Sequence, residues 1–150
     1  KLVVNKYLRI LGEDIREINN IVKSIYPGDK TIIATDIWGG LFAISNGDFK
    51  GNKSVIWYYA PDTLQWESMG IDYPHFITWV FSERFNQFHS SFVWSNIDDL
   101  LNSVDDQQGI FIYPFLWANE CNIETCDKKI VSFDELIKVN AEYQKKIYNQ

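Results

Sequence analysis

Two cysteines and two histidines leave this chain little with which to build a metal centre. Cys121 and Cys126 stand in a C-x4-C spacing, and His75 and His89 lie far upstream with no H-x3-H pairing, so the four ligands of a zinc site are missing. No G-x-S-x-G serine elbow occurs, neither cysteine carries a protease signature, and no glycine-rich loop joins a strand to a helix as phosphate binding requires. The expectation is therefore no metal and no cofactor. Basic residues are also scarce. Fourteen Lys and Arg face twenty Asp and Glu, giving a net charge of −6 and the wrong sign for a protein that displaces counterions from phosphates. Direct nucleic-acid binding is not expected on that ground. No apolar run approaches the ~20 residues that cross a bilayer, and no charged-then-apolar leader opens the chain, so a soluble, cytoplasmic protein without a membrane partner is expected. The first residue is Lys1 and the sole methionine is Met69. The reading is of a chain that lacks an N-terminal segment, through a removed signal peptide or a clipped domain.

What is present is a single domain over residues 1–150, long enough to bury ~70% of its unfolded surface. Hydrophobic residues make up 46% of it, and the aromatic share of 16% is the compositional excess. Leu2 to Leu11 is aliphatic and β-branched and reads as one strand stopped by Gly12. From Asp14, Ile15, Ile18, Val22 and Ile25 recur at helical spacing until Pro27 and Gly28. Thr31 to Asp36 and Leu41 to Asn46 flank Gly39 and Gly40, a pair that supplies the positive φ of a tight hairpin. Gly47, Gly51 and Asn52 mark the next loop, and Val55 to Ala60 is apolar on both faces, as in a central strand. A turn at Ala60 to Thr63 returns the chain as a strand over Leu64 to Met69. Asp72 caps a helix with Pro74 in its first turn and Phe76, Ile77, Val80 and Phe81 as the buried stripe; a further short helix starts near Asn96. Gly109 to Trp117 begins as a strand and turns irregular at Pro114, and Ser132 with Glu135 forms a capping box for a C-terminal helix.

Chemistry has few candidates. Asp36, Asp62 and Glu67 lie near Trp38, Trp57, Tyr59 and Trp66 in sequence, the residue types of a sugar cleft, but glycoside hydrolysis needs two carboxylates at a fixed separation and nothing local fixes one. Asp36 before a Gly-Gly turn and Asp62 after Pro61 are also positions where Asp bonds its own backbone. Trp57, Trp79 and Trp117 sit in apolar stretches and read as core, whereas Trp38 at a hairpin tip reads equally as an exposed anchor or as a ring folded back onto the sheet. The acidic residues Asp98, Asp99, Asp105, Asp106, Glu120 and Glu124, and the late lysines, read as solvated faces or as a docking patch. For the cysteines a local disulfide and free thiols both remain open.

The segments LRILG at 8–12, DIWGGLFAISNG at 36–47, YYAPDTLQWESMGIDYPHFITW at 58–79 and DQQGIFIYPFLW at 106–117 together resemble a bacterial family of proteins of unknown function. More distantly, a GG-containing hairpin, a strand, a turn and a helix opening YPHF are similar in order to the SUKH superfamily, whose bacterial members include immunity proteins against polymorphic toxins. That resemblance implies stoichiometric binding of a protein toxin. The chain departs from it in its Trp and Tyr content and in its DQQGIFIYPFLW segment. The expected fold is α+β, a twisted, mostly antiparallel sheet with helices packed against it, SUKH-like. The expected binding surface is formed by Asp36, Trp38, Gly39, Gly40, Asp62 and Trp66, with no catalytic residue; the rival is a hydrolase of a small or carbohydrate-like ligand acting through Asp36, Asp62 or Glu67.

Overall fold

Six antiparallel strands follow one another in chain order across a single sheet, each paired with its sequence neighbour, in a computed structural model that describes residues 2–26, 28–51 and 53–148. They are β1 (Leu2–Val4), β2 (Leu8–Ile10), β3 (Lys30–Asp36), β4 (Leu41–Ser45), β5 (Ile56–Ala60) and β6 (Gln65–Ser68). A second sheet of two strands pairs β7 (Gln108–Tyr113) with β8 (Asp127–Ser132). The helices are α1 (Ile15–Ile25), α2 (Tyr73–Val80), α3 (Glu83–Phe88), α4 (Ile97–Leu101) and α5 (Phe133–Tyr148), with a single 3-10 turn at Ser90–Phe92. The α+β expectation holds.

Period-two alternation sends each strand's side chains to two different layers. On one face Leu8, Phe42, Ile56 and Tyr58 meet Phe76, Val80 and Phe85 of α2 and α3. On the other, Ile32, Leu41, Ala43 and Tyr59 meet Ile18 and Val22 of α1 and Phe133 and Ile137 of α5. The β3–β4 register shifts between Ile32 and Ala34, so Ile33 is an extra residue that puts Ile33 and Ala34 together on the first face. A third apolar cluster lies off the β3–β4 turn, where Ile37 and Trp38 meet Phe92, Trp94, Ile97, Ile110, Ile112 and Cys126. Each fully buried aromatic or aliphatic side chain in these clusters contributes ~1.5–3 kcal/mol.

Several expectations need correction. Leu2 to Leu11 is a hairpin rather than one strand, because Asn5 and Lys6 take φ of 52° and 68° and turn β1 back onto β2. Phe81, expected in the buried stripe of α2, points to solvent just past the helix end. Trp57, Trp79 and Trp117 are only half-buried, whereas Trp38 and Trp94 are buried. Helix α3 and strand β8 had no expectation. The parts of the loop readings that fall on Pro27 and Asn52 lie outside the described residues. Other local readings hold: Gly39 has φ of 95° and the Asp72 side chain accepts from the His75 N–H; of the expected capping box the Ser132 half is present, its hydroxyl accepting from the Glu135 N–H at 3.2 Å.

Candidate functional site

Strand β3 delivers Asp36 to the start of the hairpin turn with its side chain fully enclosed. Oδ1 accepts from the backbone N–H groups of Trp38 at 3.0 Å and Gly40 at 2.7 Å, so the carboxylate holds the turn closed from inside. Oδ2 accepts from the Tyr58 hydroxyl of β5 at 2.6 Å and lies 3.1 Å from His89 Nε2, in the segment after α3. A buried carboxylate is tolerated only when its lone pairs are met, and here four contacts from three parts of the chain meet them. Burial, followed by the field of Asp36, holds the Tyr58 phenol well above its ordinary range. Trp38 stacks on His89, with ring centroids 5.0 Å apart at 29°, and packs against Tyr7 and Phe92.

The two glycines fit this lock differently. Gly39 needs its positive φ, and a Cβ there would lie 2.7 Å from Asn140 Nδ2 of α5. Gly40 has no such backbone demand, but a Cβ would overlap the Asp36 carboxylate and come within 2.6 Å of the Tyr58 oxygen. Thus Asp36, Trp38, Gly39 and Gly40 are indeed assembled together, but inside the protein. Trp38 is 1% exposed and Asp36 is 0% exposed, so of the two readings of Trp38 the enclosed one holds, and the expected placement of both residues on an accessible surface is corrected.

Asp62 and Trp66 lie elsewhere. Trp66 of β6 is half-buried against Tyr59, Tyr26 and Phe49, and the Lys30 ammonium stands 5.5 Å from its ring. Glu67 is exposed and accepts from the Thr63 hydroxyl at 3.4 Å. Asp62, exposed at the β5–β6 turn, opens onto a concavity of about 460 Å³ that it lines with Ser91, Phe92, Leu116, Cys121, Asn122 and Ile123. Phe92 joins this concavity to the buried lock, its ring 5.4 Å from Trp38 and 6.2 Å from His89. Desolvation raises the Asp62 carboxyl above its ordinary value, and the charge of Asp36 adds to the effect.

The concavity contains one carboxyl group and no second acid, since neither Asp36 nor Glu67 lines it. The Cys121 thiol is pushed up to about 11, first by desolvation and then by its hydrogen bond with Cys126, so it is almost wholly protonated at neutral pH and a poor nucleophile. His89 Nε2 is engaged by Asp36 in the interior. Among the described residues no group of three or more His, Cys, Asp or Glu is placed to hold a metal ion, and no helix is long and apolar enough to cross a membrane. What the arrangement can do is receive a protruding apolar or polar group against Phe92, Leu116 and Ile123, with Asp62 and Asn122 as polar partners.

Sequence reasoning missed His89, Tyr58, Phe92 and the 116–123 segment. His89 lies in FNQFHSSF, where no spacing relates it to Asp36, and the loop between β7 and β8 acquires its site role only through packing.

Comparison with known proteins places residues 3–136 within the family described as "Protein of unknown function DUF2625", and the chain belongs to that family. It is similar to an uncharacterized protein, YbfG, of Escherichia coli (strain K12), 32% identical over 114 residues that cover 76% of this chain and 51% of that protein. An uncharacterized protein of Haemophilus influenzae is 29% identical over 117 residues, covering 71% of this chain and 51% of its own length. The chain spans about half the length of these curated relatives. No solved structure matches.

Proposed function

We propose that this member of the family is a non-catalytic protein-binding domain of immunity type, acting in the cytoplasm by stoichiometric capture of a protein toxin. The observation that carries the reading is the fate of Asp36: the best-placed acid of the sequence is sealed inside the protein with both oxygens engaged, leaving the concavity beside Asp62 with that one carboxyl group. The distant SUKH-like order of elements supports the choice of a toxin as partner. A net charge of −6 favours a basic partner, whose association would be accelerated by electrostatic steering and slowed by salt. The apolar wall at Phe92, Leu116 and Ile123 would hold the complex once formed.

A second reading draws on one observation, the raised carboxyl of Asp62 at the mouth of the concavity, which suits a general acid in a hydrolase of a small or carbohydrate-like ligand. One experiment separates the two. Toxin genes neighbouring the one that encodes this chain are expressed with and without it, and the purified pair is titrated with the wild-type chain, Asp62→Lys and Ile123→Asp. The expected result is rescue of growth and a one-to-one complex weakened at least tenfold by either substitution. Turnover of a glycoside or ester by the purified chain, abolished by Asp62→Asn, would replace the binding reading with the enzymatic one.

A further inference from the structure

The loop between β7 and β8 carries the two cysteines of the chain, and it folds back so that their sulfur atoms face each other. Cys121 Sγ and Cys126 Sγ are 3.1 Å apart, nearer than two non-bonded sulfur atoms ordinarily pack, and Cys126 Sγ is 3.7 Å from the Pro114 carbonyl oxygen. Backbone bonds set this approach: the N–H groups of Thr125 and Cys126 both bond to the Asn122 carbonyl at 3.0 and 2.8 Å, forming a tight turn that brings position 126 beneath position 121. The Asn122 side chain closes the turn by accepting from the Glu124 N–H at 3.1 Å. Cys126 is buried in the apolar cluster with Trp38, Phe92 and Ile112, whereas Cys121 is half-exposed and lines the concavity. One thiol is thus reachable from solvent and the other is held directly behind it.

We infer that Cys121 and Cys126 form a reversible dithiol–disulfide couple, which clips the β7–β8 loop and fixes the wall that this loop gives to the concavity. Only a small closure separates the present contact from the ~2.05 Å of an S–S bond. The oxidant is a low-molecular-weight disulfide. Cys121 loses its proton to solvent, and its thiolate attacks one sulfur of that disulfide, expelling the other half as a thiolate. The Cys126 sulfur then attacks the Cys121 sulfur of the mixed disulfide, its own proton going to the second departing thiolate. Two electrons pass from the protein dithiol to the small disulfide, which becomes two thiols. Because Cys121 is the exposed member and is held protonated, the first step is slow at neutral pH and speeds up as pH rises.

The inference concerns the loop's chemistry and does not depend on what the concavity binds. The test equilibrates the native chain with glutathione disulfide or with dithiothreitol, quenches in acid, unfolds it and counts alkylatable thiols by mass spectrometry, with amide hydrogen exchange followed over residues 118–127. Expected are two alkylations per chain after reduction and none after oxidation, in a monomer free of glutathione, with exchange of the loop at least tenfold slower when oxidised. In Cys121→Ser the buried Cys126 should stay alkylatable after unfolding under both conditions, with loop exchange unchanged. Two alkylatable thiols after oxidation, a persistent glutathione adduct, or a disulfide-linked dimer would overturn the couple. Failure of toxin binding with this thiol count intact would bear only on the proposed function.

Discussion

Asp36 gathers donors from its own turn, from β5 and from the segment after α3, so its loss is felt in three places at once. Asp36→Ala removes every acceptor and leaves buried N–H and O–H groups unmet; the expected cost is ~3–5 kcal/mol, read as a fall in the urea midpoint. Asp36→Asn keeps one carbonyl acceptor for the turn amides and should cost less. If both substitutions left the midpoint unchanged while removing a catalytic activity, the interior role assigned to Asp36 would be wrong. In the sequence the local half of this arrangement was legible, because Asp before Gly-Gly is a turn signal. The other half was not, since Tyr58 and His89 reach Asp36 only through sheet register and the return of the chain after α3. Trp38 shows the same limit: a tryptophan at a hairpin tip reads equally as exposed or as folded back until the elements that cover it are in place.

At the scale of elements, strands and helices with a clear apolar period were legible, and those without one were not. Helix α1 follows its Ile and Val spacing, and the β3–β4 and β5–β6 pairings follow from short turns between apolar runs. Strand β8 was hidden because its residues, DKKIVS, occupy only exposed and half-buried positions and so lack a buried stripe. Helix α3 is six residues with Phe85 as its one buried side chain, too short to show a period. The β1–β2 hairpin was hidden by a turn built on Asn5 and Lys6 without glycine. The capping of α5 belongs to this scale. Ser132 accepts from the Glu135 N–H, so Ser132→Ala should destabilise the protein by ~1 kcal/mol in chemical denaturation, and Ser132→Asp should recover most of the loss. A midpoint indifferent to both changes would mean that the packing of Phe133, Leu136 and Ile137 alone sets the helix start.

For the molecule as a whole, the interior is rich in phenols. Tyr26, Tyr58 and Tyr59 are buried, burial raises the pKa of each, and that of Tyr59 is pushed up to about 12. In the unfolded chain these groups ionise near ~10, so above that pH the unfolded state holds fewer protons than the folded one and stability falls as pH rises. The stabilisation is complete below ~10 and is lost progressively as pH climbs toward and through the folded values. Alkaline titration followed by phenolate absorbance should show these tyrosines ionising late and together with loss of tertiary structure. Early, independent ionisation of all eight tyrosines with the fold intact would contradict their enclosure.

The packing of Gly40 against Asp36 also restricts how this turn can change over generations. A side chain at position 40 needs the space that the carboxylate occupies, while removing the carboxylate first strands the donors it serves. Each position therefore sets the selective value of the other, and a lineage that abandons the pair must cross a poorly folding intermediate or change both residues together. Tyr58 and His89 face the same constraint through Asp36, so the turn, β5 and the segment after α3 should drift as one inherited unit, while Asp62 and the rim of the concavity are free to diversify with whatever they meet.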